Sequence, residues 1–237
     1  MKLLDIQGLS KSFGGVSALS SVTVESRAGE TLGMIGPNGS GKTTFVNVVS
    51  GHIRQDAGTL RLGGIDIAGM RPNQLARAGI CRTYQAVRIF SALSVAKNIE
   101  AAGLMLGDQG CSPIELQELT DWLRLDQCLA KTAGSLTLFE QRRLELLMRL
   151  VLRPKLIMLD EPVGGLAVTE VSDMIELLHE LKSRCSIFVI EHTMRVIREL
   201  ADRVIVLIAG EKVADGPPAD ILRNQRVVDE YLGSAHA

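Results

Sequence analysis

Hydrophobic and polar positions alternate in short runs over the first 30 residues, where "KLLDIQGL" and "VSALSSVTVES" read as strands and Gly14, Gly15 and Gly29 as turns. The pattern then changes. In "ETLGMIGPNGSGKTTFVNVVSGHI" a continuous apolar run leads through a glycine loop into helical periodicity, which predicts one strand–loop–helix unit. "GTLRLGGIDIAG" reads as a hairpin. From about residue 94 to 152 the periodicity is helical, broken by the polar link "GDQGCSPIE".

Within that stretch Thr137 and Glu140 match the T-x-x-E capping box, so a helix should begin there. Leu144, Leu147, Met148 and Val151 recur at helical spacing, and Arg142, Arg143, Glu145 and Arg149 fall on the opposite, polar face. From Lys155 the pattern returns to strands. "LIMLD" and "SIFVIEH" are continuous apolar runs of the kind buried in parallel sheets, with a helix carrying Val171, Met174, Ile175, Leu178 and Leu181 between them. "RVIVLIAG" and "EKVADG" predict a closing hairpin. The expected organisation is one α/β domain with an antiparallel β subdomain, its core lobe formed by residues 1–85 and 154–237 and a helical lobe, 86–153, inserted into it.

Composition narrows this picture. A chain of 237 residues that is 46% hydrophobic can bury a sizeable core. Twenty-six basic against 27 acidic residues leave a net charge of -1, so no global field favours nucleic acid or anionic lipid, and no nucleic-acid partner is expected. Cys81, Cys111, Cys128 and Cys185 are widely spaced without a C-x-x-C, which argues for reduced, mostly buried thiols. The N-terminus reaches Asp5 after two leucines, unlike a secretory h-region, and no apolar run approaches 18 residues, so the chain is expected neither to be secreted nor to cross a membrane.

The chemistry is concentrated in three motifs. "GPNGSGKT" matches G-x-x-x-x-G-K-[ST]: the backbone of Gly36, Pro37, Asn38, Gly39, Ser40 and Gly41 can wrap phosphate oxygens, Lys42 supplies a positive charge, and Thr43 offers a hydroxyl to Mg²⁺ ahead of Thr44. "LIMLDEP" sets Asp160, a candidate metal carboxylate, and Glu161, a candidate general base, at the end of a buried strand. "FVIEH" repeats the arrangement with His192. Gln85 in "CRTYQAVRIF" carries no compelling local signal, and Phe13 either stacks on a base or fills a hairpin core.

The ordered set "GPNGSGKTT", "RTYQ", "LTLFEQRRLE", "LIMLDEP" and "VIEH" resembles the ATP-binding subunit of ABC transporters over essentially the whole chain. "KSFGGVSAL", "RTYQAVRIFSALSVAKNI", "EQRRLE", "IEHTM" and "YLG" look most like importer ATPases for branched-chain amino acids. The resemblance implies a P-loop NTPase (RecA-like) core binding ATP and Mg²⁺ at the cytoplasmic face of the inner membrane, peripheral to permease subunits and served indirectly by a solute-binding protein. It also implies Phe13 as the adenine platform, Gln85 as the sensor of metal, water and membrane subunit, Glu161 as the general base, and His192 as the γ-phosphate contact.

Such ATPases pair head to tail, each ATP lying between one P-loop and the partner's signature helix. The signature pattern L-S-G-G-Q aligns with Leu136, Thr137, Leu138, Phe139 and Glu140. Thr137 keeps the hydroxyl used toward phosphate, whereas Phe139 replaces a glycine, and Ala167 stands where the loop crossing the dimer usually has Asp or Asn. Both departures weaken what the chain offers a partner's ATP. The expectation is therefore an unequal heterodimer; the alternative is a nucleotide-gated interaction subunit with little hydrolysis of its own.

Overall fold

The computed structural model describes residues 2–104, 111–221 and 223–229. Two sheets divide the strands. The first is antiparallel, in the order β2-β1-β4-β5, from Lys2–Phe13 (β1), Val16–Arg27 (β2), Ala57–Leu62 (β4) and Ile65–Asp66 (β5). The second runs β10-β9-β3-β8-β7-β6, from Thr31–Ile35 (β3), Ile80–Arg82 (β6), Leu156–Asp160 (β7), Ser186–Ile190 (β8), Arg203–Ile208 (β9) and Glu211–Gly216 (β10). It is parallel except at β10, which turns back on β9.

Strands β3 and β8 are buried at every position, as their unbroken apolar runs require in a sheet covered on both faces. One apolar core, around Leu4, Ile6, Phe45 and Phe188, lies between the two sheets under Lys42–Val49 (α1). The other lies on the opposite face, under Val95–Gly103 (α3), Pro113–Trp122 (α4), Leu138–Leu150 (α5), Val168–Leu181 (α6) and Met194–Leu200 (α7). The helical segment thus shares a continuous core with the parallel sheet. Pro72–Ala78 (α2), Pro218–Ile221 (α8) and Gln225–Val227 (α9) complete the described helices.

Three readings from the sequence change. The helical stretch is interrupted beyond its polar link, because 3₁₀ turns at Asp126–Cys128 and Ala133–Ser135 separate α4 from α5. Part of the link is itself helix: Ser112 and Glu115 form a capping box and Pro113 opens α4. The polar face of α5 is also not a solvated one, since Arg142 and Glu145 are buried. The capping box at Thr137 is present, with Thr137 Oγ1 accepting from the Glu140 amide at 3.2 Å and a Glu140 carboxylate oxygen accepting from the Thr137 amide at 2.8 Å. The terminal "YLG" and the link residues 107–110 lie outside the described residues.

Candidate active site

Sheet register sets the site. Met34 of β3 pairs with Ile190 of β8, and Ile190 pairs with Asp160 of β7, so the carboxyl ends of three strands lie side by side. This is the edge at which open parallel sheets bind ligands. A cleft of about 890 Å³ opens there, lined by Gly36 through Thr44, Gln85, Asp160, Glu161 and His192, with Ala18 from the antiparallel sheet. The structure thus brings every sequence-derived candidate to one cleft except Phe13 and Thr137. Phe13 stands half-exposed at the tip of the β1–β2 hairpin, whose Ala18 does reach the cleft. Thr137 caps α5 and is exposed there.

The glycine loop is shaped for an anion. At Gly41 the backbone is left-handed, φ 103°, and a Cβ would stand 2.4 Å from the Ala18 carbonyl oxygen, so no side chain fits. The amides of Gly39, Gly41, Lys42, Thr43 and Thr44 have no protein acceptor among the described residues, which leaves a row of donors at the positive end of α1. The Lys42 ammonium donates to the carbonyls of Gly36 at 2.7 Å and Pro37 at 2.9 Å, holding the loop curled. Burial lowers the Lys42 pKa, and the carboxylates of Glu161 and Asp160 oppose that.

Glu161 is held between two side chains of this edge. Its Oε2 accepts from Gln85 Nε2 at 2.9 Å, and its Oε1 lies 2.5 Å from His192 Nε2. The backbone that aims it is unusual, because Glu161 sits at φ 51°, a region non-glycine residues seldom adopt. Asp160 is held differently: its Oδ2 accepts from Arg82 Nη2 at 2.7 Å, and its Oδ1 has no protein partner among the described residues. A free carboxylate oxygen, the Thr43 hydroxyl and unpartnered loop amides fit a magnesium–triphosphate, because Mg²⁺ is usually carried by one or two carboxylates plus substrate phosphates. No cluster of three His, Cys, Asp or Glu occurs among the described residues.

The sequence reading missed residues that brace this edge from behind. Buried Glu191 accepts from the amides of Val163 and His192, both at 3.2 Å, and so ties the turn after Asp160 to the end of β8. From α5, Arg142 donates to the Gly164 carbonyl at 2.6 Å, Glu145 accepts from the Arg88 amide at 3.2 Å, and Arg149 donates to the Arg82 carbonyl at 2.9 Å. The helix that begins at Thr137 thus grips the end of β6, the loop after Gln85 and the loop after Glu161. Burial pushes the Glu145 carboxyl up to about 7, against the pull of Arg149 and the amides. Glu145 and Arg142 announce themselves in sequence only as charges amid a helical apolar pattern, which ordinarily marks a wet face.

Phe139 turns away from the cleft. Its half-buried ring packs on the helical core, with the Arg143 guanidinium 4.5 Å above it and Trp122 and Leu177 lining the same pocket.

Comparison with known proteins gives this cleft its context. Residues 19–164 match the family described as ABC transporter. The "High-affinity branched-chain amino acid transport ATP-binding protein BraF" of Pseudomonas aeruginosa is 33% identical, covering 98% of each chain. LivG of Escherichia coli, with the same description, is 34% identical at the same coverage. An ATP-binding cassette of an ABC transporter, solved in its ADP conformation, superposes with a TM-score of 0.86 at 27% identity over 98% of this chain and 99% of that one. With family, relatives and cleft in agreement, the chain belongs to the ABC transporter family as an ATP-binding, ATP-hydrolysing subunit.

Proposed function

We propose that this subunit hydrolyses MgATP at the cytoplasmic face of the inner membrane to drive import of branched-chain or related amino acids, pairing head to tail with a second, different ATPase subunit. The observation that carries the catalytic part is Glu161, set between Gln85 and His192 at the mouth of the phosphate loop. The solute class is that named for the relatives matched over nearly their whole length, which are branched-chain amino acid transport proteins.

In this reading the loop from Gly36 to Thr44 binds the triphosphate, with Lys42 exchanging its two carbonyl partners for phosphate oxygens. Thr43, Asp160 and Gln85 would hold Mg²⁺, which supplies charge neutralisation on the phosphates. Glu161 takes the proton of the attacking water, Gln85 steers its carboxylate, and His192 contacts the γ-phosphate. Phe13 stacks on the adenine from the hairpin tip. Exposed Phe90 and Leu93, in the loop that begins at Gln85, form the docking face for a permease subunit. Phe139 and Ala167 make the partner's ATP site the weaker one.

The test is Glu161→Gln in the transporter reassembled from its subunits. The amide keeps the side chain's size but cannot accept a proton, so turnover should fall by roughly 100- to 10,000-fold while ATP binding persists. Hydrolysis at the parent rate would remove Glu161 as the base.

A further inference from the structure

Holding a divalent ion between Thr43 and Asp160 requires two elements that are not neighbours in the sheet. Thr43 opens α1, which follows β3, whereas Asp160 ends β7, and β8 runs between those strands. Something must fix the separation of α1 from the Asp160 carboxylate.

We propose that Arg82 is the positioning residue for that carboxylate, clamping Asp160 to α1 so that Oδ1 alone is presented to the magnesium of bound ATP. The guanidinium is buried and forked between the two elements. Its Nη2 donates to Asp160 Oδ2 at 2.7 Å, and its Nη1 donates to Asn47 Oδ1 at 2.6 Å and Ser50 Oγ at 3.2 Å, both on or capping α1. Arg suits this position because its planar head offers donors in two fixed directions at once, which a lysine ammonium cannot reproduce.

The clamp is itself braced. The guanidinium carbon lies 4.9 Å from the centre of the Tyr84 ring, the Tyr84 hydroxyl is 3.1 Å from His52 Nε2, and His52 Nδ1 is 3.0 Å from Ser50 Oγ, closing a ring of contacts back to Arg82. From the other side Arg149 holds the Arg82 carbonyl. This assignment rests on the reading of Asp160 as a metal carboxylate.

The experiment measures the affinity of the purified full-length chain for a fluorescent ATP analogue, with Mg²⁺ and again in EDTA, for the parent, Arg82→Gln, Arg82→Lys and Asp160→Asn. Groups that orient a metal ligand are typically worth 10- to 100-fold in metal affinity, so Arg82→Gln should weaken binding about tenfold with Mg²⁺ and less than about twofold in EDTA. Arg82→Lys should fall between it and the parent. Normal EDTA binding shows that each variant is folded. Equal loss in both conditions would make Arg82 a mere prop for the phosphate loop, and no loss in either would remove its role; both overturn the proposal. If Asp160→Asn keeps the parent's full gain in affinity on adding Mg²⁺, the metal-carboxylate reading itself falls and takes the clamp with it.

Discussion

Arg142 Nη2 donates to the carbonyl oxygen of Gly164 at 2.6 Å, joining the helix that carries Phe139 to the loop that ends at Ala167. Phe139 and Ala167, which the sequence reading took as departures from the family pattern, therefore sit on one mechanical unit. Arg142→Ala removes this donor from the Gly164 carbonyl, and also the longer bond to the Gln85 carbonyl at 3.4 Å, at a cost of about 1–3 kcal/mol. Thermal unfolding should show Tm lowered by several degrees, because for a chain of this size each kcal/mol is worth about 2–4 °C. ATP affinity in the same variant should change little, since Arg142 does not line the phosphate cleft.

Lys42→Ala should nearly abolish nucleotide binding. The lysine is the cation of a loop otherwise built from amides, and a hydrogen bond to a charged group is worth about 1.5–3 kcal/mol, a tenfold effect or more. Nucleotide titration of the folded variant is the check, and near-normal affinity would remove the loop as the phosphate site.

Glu145→Gln addresses pH. Burial raises the Glu145 carboxyl from 4.5 to about 7, so the folded protein binds this proton more tightly than the unfolded chain does. The group therefore favours the folded state below pH 4.5, and that contribution is lost as pH climbs through about 7. The glutamine keeps an oxygen for the Arg88 amide without the charge. Denaturant unfolding should show the variant's stability declining less than the parent's between pH 5 and 8, by up to about 3 kcal/mol. Parallel profiles would show that Glu145 does not titrate there.

Phe139→Gly tests the asymmetric pairing. The half-buried ring supports its own helical core, so the glycine should cost stability, though less than the roughly 3–5 kcal/mol of a fully buried Phe-to-Ala truncation. If the phenylalanine is also what weakens the partner's ATP site, hydrolysis by the chain alone should rise while the reassembled transporter changes little. Robust hydrolysis by the unaltered chain alone would show that Phe139 is tolerated in both sites.

The parts legible in the sequence are those whose chemistry is contiguous. The glycine loop, the carboxylates after "LIML" and the cap at Thr137 each fit within a few residues, and periodicity places the strands around them. What stayed hidden is pairwise and distant. Arg82 and Asp160 stand 78 positions apart, and neither carries a local sign of the other. Short α2 and β6 gave too few repeats for a period to be read. Glu145 was misplaced because a helical pattern locates charges by angle alone, whereas the amide of Arg88 supplies a buried carboxylate with a partner.

The left-handed backbone at Glu161 sets activity and durability against each other. An L-residue with a Cβ held at φ 51° carries strain of order 1–3 kcal/mol, which a glycine at that position would not. Glycine's extra freedom in the unfolded chain returns part of that difference. On the proposed role of Glu161 as the base, a glycine there would give a sturdier cassette that binds ATP without hydrolysing it.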